Sequence, residues 1–227
     1  TNPTEVGYAT TGLSAAMLIS TTLCLGMNYA ALKEIPLKGD SAFTSTLLLT
    51  ALLASAASTT ALSVKWLYNS FEAYAYTTSS LAFLTSLSLT LSYSLIALTL
   101  SKHYAYSQVT SSIIRLSALP LLTYIGLGGV GLELAFVAHY ATLTALTLTF
   151  TLRRLKLTKP STTDLKQSLQ IGLANYPLTL PSIILSSGVV TFALTSKEAA
   201  QVGALYISLM LAGAVGAIIQ GVSVTSI

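Results

Sequence analysis

The chain has 227 residues, 53% of them hydrophobic and only 8% charged, with a formal net charge of +4. Its mean hydropathy is +0.74. An ordinary soluble domain carries about 25% charged residues, so this composition argues against a soluble enzyme and against a nucleic-acid binder. The single cysteine, Cys24, supplies neither a disulfide framework nor a metal cluster.

A membrane-spanning helix needs about 20 apolar residues. The charges punctuate the chain into about seven such stretches, which predicts an all-α, polytopic transmembrane bundle. The first stretch runs from about Thr4 to Ala31, with Asn2 as its cap and Pro3 behind it. It ends in the polar run Lys33 to Asp40. The second covers about Ser41 to Val64, and Lys65 to Glu72 forms the break after it. The third covers about Ala73 to Leu100 and closes at Lys102-His103. The fourth runs from about Ser107 to Ile125, and the glycine turn Gly126 to Gly131 follows. The fifth covers about Leu132 to Leu152 and leads into the basic loop Arg153, Arg154, Lys156, Lys159 and Lys166. The sixth covers about Leu169 to Leu194 and contains Pro177 and Pro181. After the turn at Thr195–Glu198, the seventh covers about Ala199 to Val224. The apolar runs are too long for barrel strands, which need about 9–11 alternating residues. Serine and threonine hydroxyls inside such helices bond back to their own carbonyls or across to a neighbour.

Cytoplasmic loops are enriched in Lys and Arg. Loops after the odd-numbered spans hold Lys33, Lys38, Lys102, Arg153, Arg154, Lys156, Lys159 and Lys166, and the other loops hold Lys65 and Lys197. This bias places the loop 153–166 in the cytoplasm and residues 1–4 outside. The basic loop sets topology and is also suited to anionic lipid headgroups.

Arg115 stands inside the fourth span. An intramembrane ionisable group is a functional candidate by default, though a guanidinium can instead snorkel to the headgroups. Pro177 and Pro181 each delete a helix hydrogen bond, so they predict a kink or hinge, and Pro120 carries the same argument more weakly. Asn175 and Tyr176 precede that kink and are candidates to face a cavity. Asn28 and Gln220 are further amides within helices, suited to interhelical hydrogen bonds or to the same cavity. The string Gly126-x-Gly128-x-x-Gly131 matches a dinucleotide fingerprint, but it joins two apolar helices and lacks the strand that fingerprint needs. His103 and His139 lie far apart, and Glu72 and Glu133 fall near span ends, so neither a metal site nor a carboxylate pair is expected.

Glu5-Val6-Gly7 opens the first span, and Gln201-Val202-Gly203 sits early in the seventh, a weak internal echo at matching topological positions. Four stretches carry a family resemblance. Thr4-Glu5-Val6-Gly7-Tyr8 is similar to an "E-x-G-x-Y/F" helix start, and Leu25 to Lys33 to a "G-L-x-x-A-x-x-R" helix end. Ser101 through Arg115 resembles a helix four–five junction, and Glu198 to Tyr206 resembles "E-A-x-x-x-G-x-Y". Together they resemble the multidrug/oligosaccharidyl-lipid/polysaccharide exporter superfamily, most closely its polysaccharide-biosynthesis flippase branch.

The resemblance implies two pseudo-symmetric six-helix bundles, of which this chain would hold helices two to eight. Residues 1–153 would then be the first bundle lacking its first helix, 154–168 a basic cytoplasmic linker, and 169–227 the start of the second bundle. The implied function is a flippase for a lipid-linked oligosaccharide or polysaccharide precursor in the cytoplasmic membrane, working by alternating access. Arg115 would hold the anionic phosphate, with Asn28, Asn175, Tyr176 and Gln220 in the cavity. The partners would be the lipid-linked sugar, membrane lipids and a coupling cation, with no nucleic acid, no enzymatic step and no cofactor. Three alternatives stay open. One is a cation-coupled multidrug exporter of the same superfamily, which needs a deep acidic residue that the expected spans lack. The others are a membrane-embedded glycosyltransferase and a non-transport scaffold.

Overall fold

The computed structural model describes residues 2–63, 72–193 and 197–209. Among them are helices and no strand. In chain order these are α1 (Pro3–Leu23), α2 (Met27–Lys38), α3 (Asp40–Leu62), α4 (Glu72–Ala97), α5 (Ser101–Tyr124), α6 (Gly128–Leu152) and α7 (Thr162–Ile183). A π-helical turn, Ile184–Gly188, leads into α8 (Val189–Ala193). The last described helix is α9 (Ala199–Leu209).

Three of these helices, α3, α4 and α6, are long and apolar enough to cross a membrane, and the bent α1–α2 pair counts as a fourth. The other expected spans correspond to α5, α7–α8 and α9. Charges inside α5 (Lys102, Arg115) and at the start of α7 (Asp164, Lys166) dilute the first two. Only a short stretch of the last is described.

α1 begins as expected: the Asn2 side chain accepts from the Thr4 N–H at 3.1 Å, and Pro3 opens the helix. The expected continuous first span does not form. The chain breaks at Leu25 and Gly26, both in the left-handed region (φ 48° and 72°), and α2 departs at 49° to α1. A close approach makes Gly26 necessary. Its Cβ would sit 3.3 Å from the Gly172 Cα of α7 and nearer still to the Gly172 carbonyl oxygen. The polar run Lys33–Asp40 is a helical corner and not a loop, because Gly39 (φ 61°) lets α2 end and α3 start without a gap.

α4 occupies the centre and packs on α1, α2, α3 and α6, while α5 leans mainly on α6. The packing is inside-out relative to a soluble bundle. Alanines and hydroxyls are buried (Ala57, Ala61, Thr11, Ser45, Thr50 and Thr147 at 0% exposure), and leucines point out (Leu52 61%, Leu116 67%). The hydroxyls are satisfied in two ways. Some bond back along their own helix, as Thr11 to the Gly7 carbonyl (2.8 Å) and Ser86 to the Ala82 carbonyl (2.7 Å). Others bond across, as Thr46 with Ser168 (3.1 Å) and Ser58 with Ser79 (2.7 Å). Small residues allow backbones to approach closely where no water drives association.

The basic segment after α6 is tied down. Its backbone N–H groups donate from Lys156 to Asp40 Oδ1 (3.0 Å), from Thr158 to Thr44 Oγ1 (3.0 Å) and from Ser161 to Ser45 Oγ (3.2 Å). Leu155 is buried among Ala31, Ile35, Phe43 and Leu91. The next helix starts at Thr162, well ahead of the expected Leu169.

Candidate functional site

Arg115 lies in the interior of α5, because the helix begins at Ser101 and takes in Lys102 and His103. Its guanidinium sits 4.9 Å over the Phe136 ring of α6. Such a contact stabilises a cation by about 0.5–2 kcal/mol. Among the described residues no carboxylate pairs with it. The group borders a cavity of about 440 Å³ walled by Val6, Thr10 and Leu13 of α1, Leu119 of α5, Phe136 of α6 and Tyr206 of α9. The Thr10 hydroxyl is already spent on the Gly7 carbonyl (3.0 Å). The cavity is therefore an apolar wall with one free cation, an arrangement suited to an anionic amphiphile.

The other proposed cavity residues are not gathered there. Asn28 is buried and lines a separate space of about 220 Å³ with Thr21, Cys24, Tyr29, Tyr93 and Ile183. Asn175 does not reach into a cavity through its amide nitrogen, which donates to the Ile171 carbonyl of its own helix at 2.8 Å. Tyr176 is half-buried on α7. Gln220 lies outside the described residues. A third space, of about 230 Å³, is lined by hydroxyls (Thr85, Ser88, Ser92, Tyr104) with Gln108 and His139.

The proline positions also differ from expectation in detail. α7 runs through Pro177 and Pro181, and the departure from α geometry comes just after them, in the π turn Ile184–Gly188. Pro120 lies within α5, and the Thr123 hydroxyl covers the Leu119 and Pro120 carbonyls (2.9 and 3.0 Å). Arg153, Arg154, Lys156 and Lys159 are exposed, and the Arg153 guanidinium stacks on Phe150 at 5.6 Å.

Two acidic residues carry more than their sequence positions suggested. Glu133 is fully buried, not placed at an exposed span end, because the glycines Gly128, Gly129 and Gly131 are helical and extend α6 backwards. Glu34 is 1% exposed inside α2 and pairs with Lys38 Nζ at 2.9 Å. Lys38 Nζ also donates to Asp164 Oδ1 (2.8 Å) and to Gln167 Oε1 (2.6 Å), and Gln167 Nε2 donates to Glu34 Oε1 (3.1 Å). The Ser41 hydroxyl donates to the other Asp164 oxygen. This cluster fastens the α2–α3 corner to the start of α7. The Lys38 ammonium and then the Ser41 hydroxyl hold the Asp164 carboxyl below its usual value of 3.8. The Glu34–Lys38 spacing of four was a readable sign of a helix there.

The two echoed motifs meet in space. A Cβ on Gly203 would stand 3.2 Å from the Gly7 nitrogen and 3.3 Å from its Cα. A Cβ on Gly7 would stand 2.9 Å from the Ala199 Cα and closer still to the Ala199 carbonyl. Comparison with family models, curated proteins and solved structures finds no match for the chain.

Proposed function

We propose that the chain is part of a membrane transporter of the multidrug/oligosaccharidyl-lipid/polysaccharide exporter type. Its role is to flip a lipid-linked oligosaccharide or polysaccharide precursor across the cytoplasmic membrane by alternating access. The observation that carries the reading is Arg115, a guanidinium without a carboxylate partner among the described residues, on the wall of an apolar cavity of about 440 Å³. A lipid-linked sugar has a phosphate group between an apolar chain and a polar head. The apolar wall suits the chain, and the planar guanidinium donors match phosphate oxygens.

Three further features support it. Leucines face outward and hydroxyls inward, as packing in lipid favours. The echoed motifs around Gly7 and Gly203 meet one another, as equivalent positions do across a two-fold axis. The Lys/Arg bias puts the 153–166 segment in the cytoplasm. In this scheme the bundles rock against each other, and the helix bearing Pro177 and Pro181 flexes at their boundary.

The test is translocation of a fluorescent lipid-linked sugar in reconstituted vesicles. Arg115→Ala slows it by at least tenfold, and Arg115→Lys restores part of the rate. Wild-type vesicles that move no lipid-linked sugar overturn the flippase reading, and an unchanged rate in Arg115→Ala removes Arg115 from it. A second reading, a cation-coupled multidrug exporter of the same superfamily, is favoured by one observation: Glu133 supplies the buried acidic residue that such an exporter needs. Efflux of a lipophilic cationic dye from the same vesicles, with no lipid-linked sugar movement, separates the two.

A further inference from the structure

Three helices meet around Glu133. It projects from α6 toward Gly12 of α1 and Thr77 and Thr78 of α4. The carboxyl is 0% exposed, and its Oε1 has no hydrogen-bond partner. A Cβ on Gly12 would lie 3.1 Å from the Glu133 Cδ and 2.6 Å from Thr78 Oγ1, so α1 seats directly on this group.

A count of hydrogens shows what the cluster lacks. The Thr77 hydroxyl has one hydrogen and faces two acceptors, the Tyr74 carbonyl at 2.9 Å and Glu133 Oε2. With a bare carboxylate, one of those two contacts has no hydrogen in it. One added proton supplies it. The Oε2–H then donates to Thr77 Oγ1, and Thr77 donates to the Tyr74 carbonyl. An uncompensated carboxylate buried among three apolar helices is otherwise strongly disfavoured.

We infer that Glu133 is a proton-binding site that holds α1 against α4 and α6. The binding step adds one proton to a carboxylate oxygen and changes no other covalent bond. The neighbouring titratable groups define how the proton reaches it. From α1 these are Glu5 and Tyr8, and from α4 it is Tyr74, which lies within electrostatic range of Glu5, Glu133 and Tyr8. Arg115 of α5 stands against Phe136, almost one turn further along α6, and His139 follows on the same helix. Glu5 sits at the first turn of α1 beside Gly128, so Glu5 and Tyr74 lead from that helix end to the site. Loss of the proton leaves a charge under Gly12 and releases α1 from its seat.

The site needs no transported substrate, so its test is separate from that of the flippase reading. The full-length protein, reconstituted in phosphatidylcholine vesicles at neutral pH, is examined by infrared difference spectroscopy in the protonated-carboxyl region. The expected result is a band that vanishes in Glu133→Gln and shifts in Thr77→Val, which keeps the carboxyl and removes only its acceptor. The Glu133→Gln protein, neutral and of the same shape, keeps wild-type thermal stability. A spectrum indifferent to both substitutions overturns the proposal. Should Glu133→Gln fail to fold, the carboxyl acts as a charge and the proposal falls as well.

Discussion

Gly7→Ala sets two physical effects of opposite sign against each other. In an isolated helix the substitution stabilises, because alanine is favoured over glycine by about 1 kcal/mol in a helix interior. In the folded bundle the new methyl would stand 2.9 Å from the Ala199 Cα, with the Ala199 carbonyl closer still. Carbon atoms rest at about 3.5–4.0 Å, so α1 and α9 must part by about 1 Å. The obstacle is backbone, which has no rotamer to escape into. Overpacking of this kind costs about 1–3 kcal/mol even where side chains can yield. The upper part of that range applies here, and the net effect is a loss of about 1–2 kcal/mol after the helix gain is subtracted. For a chain of this size each kcal/mol lowers the melting temperature by about 2–4 °C. Thermal unfolding of the purified protein in detergent, followed by circular dichroism, measures it. Gly203→Ala is the built-in comparison. Its methyl meets the Gly7 nitrogen at 3.2 Å, a contact that small shifts relieve, so the helix gain offsets it and stability stays near wild type. A Gly7→Ala protein as stable as wild type, or more so, refutes the close packing of α1 on α9 and the axis drawn between them.

Gly39→Ala separates backbone strain from crowding. Nothing lies within 4 Å of the added Cβ, so the loss of about 1–3 kcal/mol comes from φ 61° alone and is visible in the same melts. Gly172→Ala pushes a methyl into the Leu25 carbonyl oxygen and the Met27 Cε, and it lowers stability by about 2 kcal/mol by prising α7 from the α1–α2 break. The Asp164 carboxyl is held below 3.8 in the folded state, so its contribution is complete above that pH and disappears as the pH falls through the folded value. Melting temperatures recorded from neutral pH downward show an acid limb that flattens in Asp164→Asn; an identical limb in that variant removes the Lys38–Asp164 contact from the account.

Helix type and approximate position were legible in the sequence because the apolar runs are long and the charges between them few. α3 and α4 fall close to their expected bounds. The misreadings share a cause: glycine was taken as punctuation. Gly126 does turn the chain, but Gly128, Gly129 and Gly131 are helical. That shifts Glu133 from a helix end into the bundle. Gly26 looked like part of a helix and instead breaks it, because what decides its conformation is Gly172, far away in sequence. Arg115 could be singled out from its depth alone. The separation of Asn28 from Arg115 into different cavities could not, since it depends on the 49° bend between α1 and α2. Asn175 was drawn toward a cavity by its proximity to Pro177, whereas its amide found the nearer Ile171 carbonyl.

The three backbone N–H groups that Lys156, Thr158 and Ser161 lay on the first turns of α3 have a mechanical consequence. A connector pinned at three points is a splint. It cannot take up rotation between the helices it joins, and with the Lys38–Asp164 pair it makes the start of α7 travel with the α2–α3 corner. Torque applied further along α7 then travels down the helix until it meets the first compliant stretch. That stretch is Ile184–Gly188, where the hydrogen-bond ladder is already wound to a wider pitch. The pivot of this half of the molecule therefore sits inside a helix, past its prolines, and not in the loop that the sequence offers as the natural hinge.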